Sequence, residues 1–143
     1  MSKYYFYGAD NTDGIVSSKG RYTGMTPCAL YDMLSDLWSA DTCAPRMRDG
    51  WRKDNMTFGQ CSITAFMAQD IFGGKVYGIE REGGNYHCFN VVDGNVFDLT
   101  SEQFGDEKLD YSKAVEQSRD VHFAKEEKRL RYELLKRRLE DAL

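Results

Sequence analysis

Cys61, His87 and Asp98 are the residues of this sequence whose types and order could support nucleophilic chemistry. Apolar residues recur at helical spacing after Cys61 and stop at Gly73-Gly74, which predicts a helix that begins at the cysteine. The unpaired N–H groups and the positive dipole end of a helix N-terminus stabilise a thiolate. Gly59 allows a tight turn before the helix and leaves room for a substrate. The alternative for Cys61 is a buried cysteine that packs as a small apolar side chain.

A predicted hairpin supplies two partners for this cysteine. Asp93-Gly94 is a strong two-residue turn signal between the strand segments 86–92 and 95–100. The register set by this turn places His87 and Asp98 as diagonal neighbours on one face, towards the predicted helix. A carboxylate there fixes the imidazole tautomer, stabilises its cation and leaves the other nitrogen for a thiolate. The alternatives are an ordinary half-buried strand histidine and an aspartate that bonds nearby backbone.

Three short motifs occur in the order in which transglutaminases carry them. They are Phe58-Gly59-Gln60-Cys61, which resembles Tyr-Gly-Gln-Cys, His87-Cys88-Phe89-Asn90, which resembles His-Val-Trp-Asn, and Phe97-Asp98-Leu99-Thr100, which resembles Asp-Ala-Thr. The wider arrangement from Trp51-Arg52 to Gln103-Phe104 is more similar still to the small bacterial YunG-like proteins, which resemble the transglutaminase and papain superfamily of cysteine peptidases. The resemblance covers residues 37–105.

The resemblance implies a fold and a set of roles. The fold is α+β of the transglutaminase-like (papain-like) kind, with helices packed on a small antiparallel sheet. Cys61 corresponds to the nucleophile, His87 to the general base and Asp98 to the orienting carboxylate. An oxyanion hole would combine the backbone N–H of Cys61 with one polar side chain. The side chains that compete for this role are Gln60, Asn55 and Trp51.

The activity implied is acyl chemistry on an amide or thioester without a cofactor. The spacings between Cys61, His87 and Asp98 are much shorter than in calcium-dependent transglutaminases, and no calcium-binding insertions or flanking β-domains are present. Hydrolysis or deamidation is therefore favoured over transfer to an amine. The substrate, a protein, a peptide or a small amide, stays open. The alternative function is a non-catalytic interaction protein that keeps this fold.

The remaining pattern predicts one domain over residues 1–143. Residues 1–25 have no firm assignment, although Tyr4 to Tyr7 could form a strand, and residues 26–105 form the core that carries the site. Cys88 alternates with His87 and is predicted to belong to the apolar core. The predicted elements are a helix from Thr26-Pro27 to Ser39, a long loop over 40–58, the helix from Cys61, strands over 75–81, 86–92 and 95–100, and a charged helix over 123–143.

Composition excludes several classes of function. A net charge of −4 and a pI of 5.2 argue against nucleic-acid binding. No run approaches the roughly 20 apolar residues of a membrane span, and no secretory run opens the sequence, so a cytoplasmic location with reduced cysteines is expected. The absence of Cys-x-x-Cys pairs argues against structural zinc, and residues 10–14 resemble a turn more than a calcium loop. The helix 123–143 packs on its own domain or, alternatively, contacts a partner or a second copy.

Overall fold

The computed structural model describes residues 4–143, so the first three residues of the predicted segment 1–25 lie outside the described residues. The architecture is α+β, with four helices and one four-stranded sheet in this part of the chain. The helices are α1 (Pro27–Ser35), α2 (Cys61–Phe72), α3 (Arg119–Phe123) and α4 (Glu126–Ala142). The strands are β1 (Lys75–Glu80), β2 (Tyr86–Val92), β3 (Asn95–Phe97) and β4 (Val115–Glu116).

The sheet is antiparallel in the order β3-β2-β1-β4, and its β2–β3 hairpin has the predicted register. Val92 pairs with Asn95 across a turn in which Asp93 and Gly94 both have positive φ, 51° and 79°. This is the backbone of a type I′ turn, which matches the right-handed twist of the strands. The turn chemistry of Asp-Gly therefore fixes which side chains of the hairpin share a face.

The second hairpin strand is shorter than predicted, because it ends at Phe97 rather than at Thr100. The Asp98 side chain accepts the Thr100 backbone N–H, which bends the chain at this point. The Asp98 N–H instead donates to the Tyr7 carbonyl at 2.9 Å. The strand expected over Tyr4–Tyr7 is reduced to this single bridge at Tyr7.

The two faces of the sheet have different neighbours. Asn90 donates its side-chain N–H to the Ala65 carbonyl of α2 at 2.8 Å, and Cys88 lies on the same face in the apolar core. The prediction that Cys88 belongs to the core is confirmed. His87 and Phe89 alternate with them and lie on the other face of the strand, and His87 shares a cavity with Cys61 at the start of α2.

The helices α1 and α2 start where the sequence predicts, but α1 ends earlier than predicted. The Thr26 hydroxyl accepts the Ala29 N–H at 3.2 Å and Pro27 opens α1. This helix ends at Ser35, short of the predicted Ser39, because Ser39 caps a separate turn over Ala40–Thr42. The helix α2 begins at Cys61 and ends before Gly73, as predicted.

The charged helix predicted over 123–143 is observed as α4, which starts three residues later, at Glu126. The short helix α3 precedes it, was not predicted, and is capped by Ser118. The helix α4 packs against α2 on the side away from the sheet. Leu135 and Leu139 of α4 are fully buried in the core, whereas Leu130 is half exposed. No helix among residues 4–143 combines the length and the apolar character needed to cross a membrane.

Candidate active site

The backbone before α2 fixes the position of Cys61. Gly59 has a φ of +73°, and a Cβ added there would lie 2.4 Å from the Cys43 sulfur. Its carbonyl accepts the Ala44 N–H at 2.9 Å, so the loop holds the residue on both sides. Glycine is thus required here by its backbone and by the close approach of Cys43, and it also lines the cavity at Cys61. The Cys61 sulfur lies 3.7 Å from the Tyr86 carbonyl oxygen, across from the start of β2.

His87 and Asp98 form the predicted pair. The His87 Nε2–H donates to Asp98 Oδ2 at 2.6 Å, and both side chains are buried. The same carboxylate oxygen accepts the Tyr111 hydroxyl at 2.8 Å, while Oδ1 accepts the Thr100 N–H at 3.2 Å. A carboxylate with three donors is fixed in orientation, and it fixes the ring in turn. Tyr111 was not predicted, because it lies in the polar segment 105–120 that has no clear periodicity.

The free nitrogen of the ring is the one available to Cys61. Nδ1 of His87 is buried and has no hydrogen bond of ordinary length within residues 4–143. Burial alone would lower the His87 pKa, but the Asp98 carboxylate and the nearby Cys61 sulfur outweigh it and raise the pKa to about 10. The ring is therefore a cation at neutral pH. Long hydrogen bonds between catalytic groups are common before a substrate binds.

Cys88 is a neighbour of Cys61 that the alternation argument did not reveal. Hydrogen bonding from the Cys88 thiol, opposed by burial and assisted by the His87 cation, lowers the pKa of Cys61 well below its ordinary value. The pKa of Cys88 is correspondingly raised by the hydrogen bond with Cys61 and by burial. Within this pair, the negative charge is therefore favoured on Cys61 over Cys88.

The other two cysteines have no such environment. Burial raises the pKa of Cys28, and burial likewise raises that of Cys43 although arginines nearby oppose it. Cys61 is therefore the thiol best suited to be a nucleophile at neutral pH.

None of the three side chains expected at an oxyanion hole lines the cavity at Cys61. Gln60 is fully buried and donates its side-chain N–H to the Ser39 carbonyl at 3.0 Å. Trp51 donates its indole N–H to the Met56 carbonyl, also at 3.0 Å, and Asn55 pairs with Arg52 in a turn. The Gln60 amide and the Trp51 indole are thus engaged away from the cavity.

The donors that remain are backbone groups at the start of α2. No side chain caps this helix, so the N–H groups of Cys61 and Ser62 keep their unpaired positions beside the sulfur. Both residues line the cavity, as does Gln103, whose side-chain oxygen accepts the Gly59 N–H at 3.4 Å. A helix terminus of this kind stabilises negative charge on an oxygen as well as on a sulfur.

The cavity in front of Cys61 has a volume of about 960 Å³. One wall holds Phe104, whose ring meets the His87 ring edge-on with centroids 4.6 Å apart. Arg81 lies over the outer face of Phe104 and pairs with Glu107 at 2.8 Å. These contacts keep the imidazole from rotating and shield it from solvent on that side.

The opposite wall comes from α3 and α4 and was not predicted. Lys128 donates to His122 Nδ1 at 2.9 Å, and His122 Nε2–H donates to the Gln117 side-chain oxygen at 2.8 Å. Burial and the Lys128 charge lower the His122 pKa to about 4, so this histidine is neutral. Within residues 4–143 no group of three or more Cys, His, Asp or Glu side chains is arranged to hold a metal ion.

Fold and site together define an α+β protein with a helix-terminal cysteine, a charged histidine and a buried aspartate at one cavity. A family profile described as YunG protein matches residues 26–143, and the chain belongs to this family. It is similar to a protein of Bacillus subtilis (strain 168) named "Uncharacterized protein YunG", with 41% identity over 72 residues. That match covers 50% of this chain and 57% of the relative, little more than half its length. No solved structure matches the chain at a significant level.

Proposed function

We propose that the protein is a cysteine-dependent hydrolase of an amide or related acyl bond, and that its architecture is a small form of the transglutaminase-like fold. The observation that carries the proposal is the place of Cys61, at an uncapped helix start, in one cavity with a His87 that Asp98 holds at 2.6 Å. The order cysteine, histidine, aspartate along helix and hairpin supports the fold assignment.

The reaction begins from the ion pair of the Cys61 thiolate and the His87 imidazolium. The sulfur attacks the carbonyl carbon, and the carbonyl electrons move to the oxygen to give a tetrahedral oxyanion. When the oxyanion collapses, the bond to nitrogen breaks and His87 gives its Nδ1 proton to the leaving amine. The product of this half-reaction is a thioester on Cys61, and the ring is left neutral.

Water completes the cycle. Neutral His87 removes a proton from a water molecule, which attacks the thioester carbon and releases a carboxylic acid and the Cys61 thiolate. Asp98 keeps Nε2 protonated throughout, so Nδ1 is always the nitrogen that exchanges protons. The N–H groups of Cys61 and Ser62 stabilise the oxyanion in both half-reactions.

A substrate of the amide class can be a peptide, a protein side chain or a small amide. If the leaving group is ammonia, the same steps amount to deamidation, and if an amine replaces water they amount to transfer. The open cavity gives water access to the thioester, which favours hydrolysis.

Acylation by p-nitrophenyl acetate tests the proposal without knowledge of the natural substrate. Release of p-nitrophenolate should show a burst equal to the protein concentration, and mass spectrometry should place one acetyl group on Cys61. The group should be lost slowly in water and quickly with hydroxylamine, as a thioester is. Added glycinamide distinguishes transfer, which yields acetylglycinamide, from hydrolysis, which yields acetate.

The matched variants are Cys61→Ala and Cys28→Ala. The first removes the thiol whose pKa is lowered, and the second removes one whose pKa is raised. The burst should vanish in the first and persist in the second. Acetylation of the Cys28 thiol instead of Cys61 would overturn the proposal and leave the non-catalytic interaction protein as the better reading.

A further inference from the structure

The wall of the cavity built by α3 and α4 carries an ammonium group with no carboxylate partner. Lys128 is half-buried and lines the cavity together with Cys61. Its ammonium donates a hydrogen bond to His122 Nδ1. No ion pair joins Lys128 to an acidic side chain within residues 4–143. Taking an ammonium partly out of water without a counter-charge is unfavourable, so stability alone does not explain the position of Lys128.

The neighbouring carboxylates do not supply a counter-ion, and the negative charge of Cys61 is already balanced by the His87 cation. Glu127 on the same wall is already paired with Arg131 at 2.8 Å, and Arg81 across the cavity is paired with Glu107. Two more cations, Arg46 and Lys125, line the same cavity and also have no ion pair within the described part of the chain. The acidic residues that line it without such a pair, Glu80 and Glu82, are exposed to solvent at its rim.

The hydrogen bonds behind Lys128 orient its ammonium. Gln117 accepts the His122 Nε2–H at 2.8 Å, so Nδ1 of the neutral ring can only accept. Nδ1 takes one of the three hydrogens of Lys128 and leaves two for a group in the cavity. A chain of this kind has little use in simple packing, because an apolar residue would fill the position without the cost of desolvation.

We propose that Lys128, oriented by His122, binds a carboxylate of the substrate beside Cys61. The cavity then takes an acyl compound that carries its own negative charge close to the bond that is cleaved. One half-buried ammonium balances one such charge, and Arg46 and Lys125 at the same cavity add long-range attraction. The inference rests on the proposed function, since it concerns the substrate of the same site.

Two alkylating reagents that differ only in charge test this site. Iodoacetate carries a carboxylate and iodoacetamide a neutral amide, and both react with the Cys61 thiolate. The ratio of their second-order rate constants cancels the fraction of thiolate, so a change in the Cys61 pKa does not affect it. In the unaltered protein the ratio should favour iodoacetate over its value for free cysteine.

Lys128→Met should lower this ratio about tenfold, the loss of one charge-assisted hydrogen bond at a half-buried site. Lys128→Gln is a second neutral variant should the methionine impair folding, and Lys128→Arg should retain most of the ratio. Lys136→Met is the matched control, because this lysine lies on the same helix but is exposed and does not line the cavity. It should leave the ratio unchanged.

The outcomes separate the two proposals. An unchanged ratio in both neutral Lys128 variants, with Cys61 still alkylated, overturns the carboxylate site and leaves the hydrolase proposal standing. An equal fall in Lys136→Met also overturns it, because the effect would then come from net charge alone. If neither reagent modifies Cys61 ahead of the other cysteines, the hydrolase proposal falls and the substrate site with it.

Discussion

Replacing Asp98 with asparagine should uncouple the Cys61 thiolate from the His87 imidazolium. Asp98 acts on the sulfur through the ring, to which it is bound at 2.6 Å. Asparagine has nearly the same size and can still accept the Thr100 N–H. It has no charge, however, and it can turn its own N–H₂ group towards the ring and select the other tautomer.

The size of the effect follows from the geometry. Two unit charges ~4 Å apart attract by ~4 kcal/mol at an effective dielectric constant of ~20, which corresponds to ~3 pKa units. This is consistent with a His87 pKa that stands at about 10 instead of 6.5. Without the carboxylate charge, burial should bring that pKa to 6.5 or below. The Cys61 pKa should then rise towards 9.0, although the Cys88 hydrogen bond opposes part of the change.

The assay is the pH at which the Cys61 thiolate forms, measured by its ultraviolet absorbance against Cys61→Ala and by the pH dependence of iodoacetamide alkylation. A rate at one pH is a poor measure, because a thiolate of lower pKa is also less nucleophilic, with a Brønsted slope of ~0.4–0.5. The inflection should lie well below 9.0 in the unaltered protein and should move up in Asp98→Asn.

Three comparisons make the result specific. Asp106→Asn applies the same chemical change to an exposed carboxylate nearby and should leave the inflection in place. His87→Ala should raise the Cys61 pKa at least as far, and combining it with Asp98→Asn should add little, because the carboxylate works through the ring. Circular dichroism establishes that each variant is folded. A folded Asp98→Asn protein with the original inflection would refute this reasoning.

Three further predictions concern the same pair of charges. Limited iodoacetamide treatment at neutral pH should modify Cys61 ahead of the other three cysteines, and peptide mapping that finds another site first would contradict this. Cys88→Ala removes a hydrogen bond to the thiolate, so the Cys61 pKa should rise in the same absorbance titration, and an unchanged value would exclude that bond. Between pH 6.5 and 9.0 Cys61 and His87 together bind one proton in the folded protein, on the histidine, and one in the unfolded chain, on the cysteine. Because these numbers are equal, the pair adds no pH dependence to the free energy of unfolding in that range. In Cys61→Ser only the part of the His87 pKa rise that Asp98 causes remains, so the folded pKa lies between 6.5 and 10. Stability should be full below pH 6.5 and should fall by up to ~1.4 kcal/mol per pH unit as the pH rises to that folded pKa; urea unfolding that shows no such decline would contradict this.

The hairpin and its charged pair could be predicted because the rules that govern them are local. Asp93-Gly94 selects one turn type, the turn sets the register, and the period of two then determines which residues share a face. His87 and Asp98 follow from those steps alone. The start of α2 at Cys61 is local as well, since apolar periodicity begins there and Gly73-Gly74 ends it.

The walls of the cavity could not be predicted by these rules, because they depend on packing between distant parts of the chain. Tyr111 reaches Asp98 from a segment without periodicity, and Lys128 and His122 come from two helices whose crossing with α2 decides where they point. The three side chains expected at an oxyanion hole do not line the cavity, for a related reason. Closeness to Cys61 in sequence does not give a side chain's direction, and Gln60 points into the protein towards Ser39.

The position of Cys61 over a strand end explains why it has neighbours from both faces of the sheet. In the middle of β2 a residue on α2 could meet only one face, and there the helix contacts the face of Cys88 and Asn90. At Tyr86 the strand begins, and the Cys61 sulfur lies 3.7 Å from that residue's carbonyl oxygen. From this edge the sulfur is within the influence of both His87 and Cys88, although these point to opposite faces. The His87 charge and the Cys88 thiol then act on the same sulfur. Neither face of the sheet alone could provide both groups.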